Sequence, residues 1–389
     1  MKLYFTIIFI FLSLLAEAQI KEFIVIDSQT REPLNAVSAF FSALNQGSVT
    51  NAEGKVKIFF TNKTDSLVFS HVGYDPKKIV LEDYLNVDTI RMRTTSILLK
   101  EVAVYSMDLK KKLAELLKNY HNLYPSQPVI YDCTYKESFK VNDSLARLAQ
   151  VQLKWYNKNY RFDFSKHYIK QNQISLTTID YSKSAIRFSN TSKKSNLANS
   201  VLFNLLHLNF YTYVLKKGSD LSIQSVDKYP NYTKVIFSTP IVVNGRIAMF
   251  LNDGIIYFDN ESGAIIEIDF NYEYNNHTAT FTSNKDKTPY TSKTKRHHVY
   301  LTFNKLNDNK WGIGTLKSVI EGEYIIGNKT ESFQNTQEFL VTNSKKGGQI
   351  PVKDQIDLTK PFYENLPLNK NLPSKILLTK EEEEFMNKK

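Results

Sequence analysis

The sequence predicts a mainly β protein, in which a small β-sandwich is followed by a larger antiparallel curved sheet or half-open barrel with one or two helices. Aromatic residues are abundant, with 23 Tyr and 25 Phe among 389 residues, and both types favour sheets. Apolar residues alternate with polar ones over long stretches, and turns rich in Gly, Asn and Pro separate these stretches. A chain of this length is expected to form two domains.

Residues 1–18 have the pattern of a secretory signal peptide. An apolar run of about 13 residues, from Leu3 to Leu15, precedes the small residues Ala16 and Ala18, and it is shorter than the roughly 18–20 residues that a membrane-spanning helix needs. Cys133 is the only cysteine, so neither a lipid-bearing thiol at the cleavage site nor an internal disulfide is available. We expect an exported protein, periplasmic or associated with the outer membrane.

The chain is basic, with a net charge of +11, and the excess lies after residue 106. Most of its lysines stand singly among Asn, Ser and Thr, which favours a solubility role and predicts no nucleic-acid partner. The densest basic cluster, residues 292–300, has two interpretations. It is either a strand edge that faces an anion or a solvated edge that resists aggregation.

The first domain is predicted over residues 19–106 from five strand-like segments. These are "KEFIVID", "LNAVSAFF", "KVKIFF", "DSLVFSHVGY" and "VDTIRMR". Between the second and third segments, "TNAEG" predicts a hairpin loop, because Asn51 can bond its own backbone and Gly54 can adopt a positive φ. Short strands with frequent turn signals are typical of a small sandwich.

This segment order resembles the carboxypeptidase-regulatory-like domain, an Ig/transthyretin-like sandwich of seven strands. The resemblance extends from Ile20 to about Tyr105 and implies an exported protein of the Bacteroidetes type. Asn51 stands where that family usually has aspartate, but it supports the same turn. Backbone geometry or packing explains each matching position, so the resemblance implies a docking or structural role. The matching positions are Asp27, Pro33, Leu34, Ala36, Thr50, Gly54, Val72, Gly73 and Tyr74.

The second domain is predicted over residues 107–346, with helices near 107–124 and 197–217. The first helix is amphipathic, whereas the second is apolar nearly all round and is expected to be buried in the concave face of the sheet. The strand "AIIEIDFNYEY" alternates clearly, which predicts one buried and one solvated face. This arrangement resembles the half-open barrel of periplasmic lipoprotein-carrier and sorting proteins. Residues 347–389 are predicted to form an extended or disordered tail.

Candidate chemistry in the sequence is sparse. Glu267, Asp269 and Glu273 share one strand face and are compatible with a glycosidase pair or a calcium site, but a solvated face is favoured. His297 and His298 are adjacent, so in a strand they point to opposite faces. Cys133 in "VIYDCTYKESF" and His207 on the apolar helix are interpreted as buried structural residues.

Motifs of several enzyme classes are missing from the sequence. No His is followed by a Glu three residues later, as a zinc carboxypeptidase requires. The nucleophile elbow, the phosphate loop and the dinucleotide fingerprint are also missing. We therefore name no catalytic, metal-binding or cofactor-binding residue, and we predict no cofactor.

Two functions remain as hypotheses. The first is a non-catalytic exported cell-envelope protein. In this hypothesis the sandwich is a docking or spacer module, and the β-rich domain binds an envelope protein or an apolar or lipid ligand. It would not be transmembrane, and peripheral membrane association stays open. The alternative is an envelope hydrolase acting on glycan or peptide. It requires either carboxylates or a Cys and a His to converge in a cleft, and a structure in which Glu267, Asp269, Cys133 and the histidines are scattered would exclude it.

Overall fold

The computed structural model describes residues 19–41, 46–71, 73–95, 107–158, 171–184, 220–282, 287–306, 308–358, 362–366, 370–371 and 377–388. The predicted signal peptide, Val72, the end of the first predicted domain and the predicted helix 197–217 with His207 lie outside these residues. The chain divides into two compact units, residues 1–96 with 375–381 and residues 97–374 with 382–389. Within the described ranges, no helix is long and apolar enough to cross a membrane.

The described residues of the first unit form two sheets, which confirms the predicted small sandwich. The strands are β1 Gln19–Asp27, β2 Ser38–Phe41, β3 Gln46–Val49, β4 Lys55–Phe60, β5 Ser66–Ser70, β6 Lys77–Val80 and β7 Thr89–Met92. One sheet has the order β4-β1-β7 and the other β3-β2-β5-β6. A 3-10 helix, Leu81–Tyr84, follows β6. Apolar side chains fill the core, where the buried rings of Phe23 and Phe69 meet edge to face at 5.6 Å.

The turn after β1 is held by the carboxylate of Asp27. One oxygen accepts hydrogen bonds from the backbone N–H groups of Gln29 and Thr30, at 2.6 and 2.9 Å. The other accepts the hydroxyl of Tyr74 at 2.8 Å. These bonds favour the ionised form, so the pKa of Asp27 is lowered, chiefly by the Thr30 N–H. Burial and the Asp27 carboxylate raise the pKa of Tyr74 to about 12, which keeps this hydroxyl a donor.

The hairpin loop before β4 is organised by two polar side chains. The Thr50 hydroxyl donates to the carbonyl of Leu34 at 2.6 Å and accepts from the N–H of Val37 at 2.8 Å. The side-chain oxygen of Asn51 accepts two backbone N–H groups further along the loop, each at 3.0 Å. Pro33 forms a β-bridge with Ile26 beside this loop. The turn chemistry predicted from "TNAEG" is therefore present.

The second unit forms one open antiparallel sheet, preceded by helix α1 (Leu109–Leu123). Its strands run in the order β11-β12-β13-β14-β15-β16-β17-β8-β9-β10-β18, so β11 and β18 are the two edges among the described strands. The mainly β fold class with a large curved sheet is thus confirmed. The strands are β8 Val129–Val141, β9 Ser144–Asn157, β10 Asn172–Ser184, β11 Ser222–Lys228, β12 Tyr232–Val243, β13 Arg246–Asp259, β14 Ile265–Thr282, β15 Pro289–Lys305, β16 Trp311–Ile326, β17 Lys329–Lys346 and β18 Lys370–Asn371.

We call the sheet face that packs against α1 the inner face and the opposite one the outer face. Asp108 caps α1 by accepting the N–H of Lys111 at 2.9 Å. Leu109, Leu113 and Leu116 share one side of the helix and are buried in the main apolar cluster. Because strand residues alternate between faces, the register of the sheet decides which side chains join this cluster.

The described parts of residues 347–389 differ from the predicted extended or disordered tail. Leu358, Phe362 and Leu366 are buried in the main apolar cluster, and a second helix, α2, spans Lys380–Asn387. Glu382 and Phe385, three positions apart on one side of α2, are buried. Glu382 is one of four consecutive glutamates, and it has a partner far away in the sequence that orders this segment.

That partner is Lys136, on the outer face of β8. Its ammonium lies 2.7 Å from a carboxylate oxygen of Glu382 and 3.7 Å from one of Glu338. Burial raises the pKa of Glu338, but Lys136 and Lys317 more than offset this, so the pKa lies below its ordinary value. Lys183 on β10 donates to the carbonyls of Phe385 and two further residues at the end of α2. A cation near the carboxyl end of a helix stabilises it, because this is the negative end of the helix dipole.

We expect Gly54→Ala to destabilise the protein more than Gly73→Ala. Both glycines have positive φ, 71° and 83°, and this conformation costs alanine about 1–2 kcal/mol. A Cβ on Gly54 would also lie 2.5 Å from the Val25 carbonyl oxygen, whereas a Cβ on Gly73 meets no atom within 4 Å. The Gly54 change should therefore cost on the order of 3 kcal/mol or more. Urea unfolding followed by far-ultraviolet circular dichroism measures both; equal costs would contradict the close approach.

We expect Lys136→Met to lower the free energy of unfolding by about 3–5 kcal/mol, because it leaves the Glu382 carboxylate buried without its cation. Lys154→Met is the matched control, since Lys154 pairs with Asp132 at 2.7 Å with both side chains more than 40% exposed; it should cost about 0–1 kcal/mol. Both tryptophans, 155 and 311, lie in the second unit, so tryptophan fluorescence in urea follows the relevant transition. Similar losses for the two variants would show that the α2 contact is not stabilising.

Candidate functional site

The inner face of the large sheet carries two apolar clusters with polar side chains between them. The main cluster packs against α1, and a second cluster contains the buried rings of Phe139, Tyr290, Tyr324 and Phe333. The polar side chains come from β8, β9, β15, β16 and β17, at register positions that place them on the inner face. We call this set the inner-face polar band; it consists of Glu137, Arg147, His297, Ser318, Asn335 and Gln337.

An ion pair forms one end of the band. A guanidinium nitrogen of Arg147 lies 2.6 Å from one carboxylate oxygen of Glu137, and the Tyr135 hydroxyl donates to the other at 2.7 Å. Both charged residues are buried. The guanidinium also lies over the rings of Phe139 and Tyr363, 5.2 and 4.2 Å from their centroids. The guanidinium and the carboxylate therefore neutralise each other, and the pair has no net charge.

The amide of Gln337 lies beside this pair, and its orientation is fixed. The Glu137 carboxylate only accepts and the Tyr135 hydroxyl donates to it, so the Gln337 NH₂ group must be the one that donates to the Tyr135 oxygen, at 2.9 Å. The Gln337 carbonyl oxygen then faces away from the pair. It has no hydrogen-bond partner within the described part of the chain, although the residue is only 3% exposed.

Asn335 presents a second such oxygen. It lies two residues before Gln337 on β17 and so on the same face, and its buried side-chain oxygen also lacks a partner among the described residues. A buried carbonyl without a donor costs about 1–3 kcal/mol. Two neighbouring acceptors of this kind mark a place where a donor from outside the chain would be bound favourably.

His297 completes the band on β15. Its Nε2 lies 2.9 Å from the hydroxyl oxygen of Ser318, and its ring lies beside that of Tyr272. Burial, and to a lesser degree the neighbouring His298, lower the pKa of His297 to about 4. The imidazole is consequently neutral near pH 7.

The carboxylates singled out in the sequence lie on the outer face of β14, but they differ in environment. Glu273 is exposed, and Asp269 lies 2.5 Å from Nε2 of His298. Glu267, however, is only 5% exposed. Burial raises the pKa of Glu267 well above the usual range, and the negative charge of Asp269 raises it further. A hydrogen bond with Tyr300 acts in the opposite direction. The expectation of a solvated face is therefore wrong for Glu267, because Tyr257 from β13 pairs opposite it and Tyr300 from β15 bonds it.

The remaining sequence candidates do not join one site. His297 and His298 lie on opposite faces, as the alternation predicts. Cys133 is buried on the inner face, where burial raises the pKa of its thiol, so it does not meet the carboxylates of Glu267 and Asp269. Across the described ranges, no group of three His, Cys, Asp or Glu residues is placed to hold a metal ion.

Two cationic side chains of the basic cluster at 292–300 are paired with carboxylates. Lys295 forms an ion pair with Glu323, and Arg296 one with Glu321 at 2.8 Å, in both cases across to β16. However, β15 pairs with β14 on one side and β16 on the other, so the cluster lies within the sheet and both interpretations of it as a strand edge are wrong.

Sequence reasoning missed the inner-face polar band. One signal was present in "FQNTQEFLV", where Phe333, Phe339 and Val341 share a strand face with Asn335 and Gln337. Amides at positions of an otherwise apolar stripe break the pattern expected of a core strand. Such breaks are expected at functional sites.

Residues 24–104 match the family model of the CarboxypepD_reg-like domain, which confirms the resemblance predicted for the first unit. No curated protein matches the chain. Among solved structures, a DUF1329 family protein of Desulfovibrio piger is 10% identical over 63% of this chain and 96% of its own, with a TM-score of 0.28. A LolA superfamily protein of Nitrosomonas europaea is 8% identical over 64% of this chain and 97% of its own, with a TM-score of 0.25. At TM-scores this low, the two similarities carry no argument about what the second unit binds.

We expect His297→Gln to reduce the loss of stability in mild acid. Between the ordinary histidine pKa of about 6.5 and the folded-state value of about 4, the unfolded chain binds a proton that the folded chain does not. Stability therefore falls as the pH drops through this window, by roughly 2–3 kcal/mol from this residue. Urea unfolding at pH 7 and pH 4 measures the difference between the variant and the wild type. His121→Gln, on an exposed position of α1, is the control; if it behaves like His297→Gln, the buried imidazole is not the cause.

Proposed function

We propose that this is a non-catalytic exported cell-envelope protein whose large sheet binds an apolar ligand with a polar end on its inner face. The amino-terminal sandwich serves as a docking or structural module. One observation carries the proposal. The inner-face polar band lies between two apolar clusters and holds two buried carbonyl oxygens without partners in the described residues. Apolar walls with a few placed polar groups are typical of ligand sites.

The segment after β17 covers part of this site. Phe362 packs edge to face on Tyr135 at 4.8 Å, and Tyr363 lies over the guanidinium of Arg147. The covering 3-10 helix, Phe362–Asn365, belongs to a connection and not to the sheet. Connections of this kind open more readily than strands, so we propose that a ligand enters by displacing it.

A second candidate function has one observation in its favour. A carboxyl with a raised pKa, Glu267, lies on the same strand face as Asp269, and such a pair is typical of glycosidases. Against this, Glu267 is buried beside tyrosines, and Cys133 lies on the other face. A hydrolase acting on envelope glycan or peptide would lose its activity in Glu267→Gln, whereas the binding protein would be unaffected by this change.

We expect the mature protein, purified from its own envelope, to carry a small apolar species in native mass spectrometry. Gln337→Met should reduce the bound fraction severalfold, because methionine keeps the size of the side chain but loses its carbonyl. Gln334→Met is the matched control, since Gln334 lies on the same strand with its side chain on the outer face, where it donates to Glu321 at 3.0 Å. A bare mass for the wild type would contradict the proposal and favour a purely structural or protein-docking role.

A further inference from the structure

We infer that the polar end of the ligand is an uncharged hydrogen-bond donor, a hydroxyl attached to an apolar body, and not a carboxylate or phosphate. This inference rests on the proposed binding function and names the class of ligand for the same site. It follows from three properties of the inner-face polar band: the kind of atoms left without partners, the charges at the site, and the surfaces on either side.

The atoms of the band that have no partner among the described residues are acceptors. The orphaned atom of Gln337 is an amide carbonyl oxygen, and its identity is fixed because its NH₂ group is held by Tyr135. The orphaned atom of Asn335 is also a carbonyl oxygen. Carbonyl oxygens accept and cannot donate. A carboxylate or phosphate brings only further acceptors, so it would place like partial charges against each other in a site with little water.

The band also offers no cation to balance an anion. Two nitrogens of Arg147 contact the same Glu137 oxygen, at 2.6 and 2.9 Å, and rings lie against its faces. His297 is neutral at pH 7, as argued above. No other positively charged side chain belongs to the band among the described residues. A buried ammonium on the ligand would equally lack a counter-charge, and burying an unpaired charge costs far more than burying a hydroxyl.

The surfaces on either side of the band suit an apolar body. Phe139, Tyr324 and Phe333 form stacked or tilted ring contacts on one side, with centroids 4.5–6.3 Å apart. Gly322 lies beneath them, where a Cβ would come within 2.6 Å of the Phe333 ring. On the other side, the apolar residues of the main cluster begin at Phe339 and Leu316. A hydroxyl at the band would thus leave an alkyl or ring body against aromatic and aliphatic side chains.

The experiment is a binding series on the full mature chain with probes that share one alkyl chain: dodecanol, dodecanoate, dodecylamine and dodecane. Affinities are measured by isothermal calorimetry or by displacement of a fluorescent apolar dye below the micelle concentration. We expect dodecanol to bind at least about tenfold more tightly than each of the other three, which corresponds to about 1.4 kcal/mol. Gln337→Met should bring dodecanol down to the affinity of dodecane, and Gln334→Met should leave the series unchanged.

Each outcome has a separate meaning. Dodecanoate or dodecylamine binding as tightly as dodecanol would overturn the donor assignment and leave the proposed binding function standing. Dodecanol binding that survives Gln337→Met would overturn the assignment of the site. Failure of all four probes to bind the wild type would overturn the binding function itself and indicate that a buried water satisfies the two oxygens. Should Gln337→Met fail to fold, the order of the four probes on the wild-type protein still decides between a donor and an anion.

Discussion

The pairing register of the long antiparallel strands is the constraint on which the second unit depends. Each strand of up to 18 residues places alternate side chains on opposite faces, so a slip of one residue would exchange the two faces completely. His297 and His298 illustrate this, since neighbouring imidazoles meet Ser318 on one face and Asp269 on the other. The apolar residues that pack under α1 hold this register, and the inner-face polar band exists only while it is kept.

The sequence was most informative where structure is decided by neighbours in the chain. The loop around Asn51 and Gly54 was predictable because its hydrogen bonds join residues a few positions apart. The alternation of β14 was predictable for the same reason. The burial of Glu267 was not, because the tyrosines around it come from other strands whose pairing the sequence does not state. Helix α2 likewise depends on Lys136, which lies 246 positions before Glu382, and a run of glutamates alone gives no indication of this contact.

The inner-face polar band is difficult to explain by stability alone. A buried ion pair such as Glu137 with Arg147 is often no more stabilising than apolar side chains of similar volume. The carbonyl oxygens of Gln337 and Asn335, which have no donor among the described residues, reduce stability further. A core strand that served only packing would have apolar residues at these positions, as β17 has at Phe339 and Val341. Under the proposed function, this loss of stability is retained because the band binds a ligand, in a sheet whose other inner residues supply ample burial.

The last part of the chain also determines how the sheet can meet other chains. Leu358 and Phe362 pack on the inner face, and Glu382 binds the outer face. At the edge, β18 pairs with β10 at two positions only, Tyr181 with Asn371 and Ser182 with Lys370, so the protein's own last residues shorten the free edge of β10 without closing it. At the other end of the sheet, β11 pairs along its length with β12, and no described strand lies beyond it. The two ends of the sheet therefore differ as places where a strand of another chain would add.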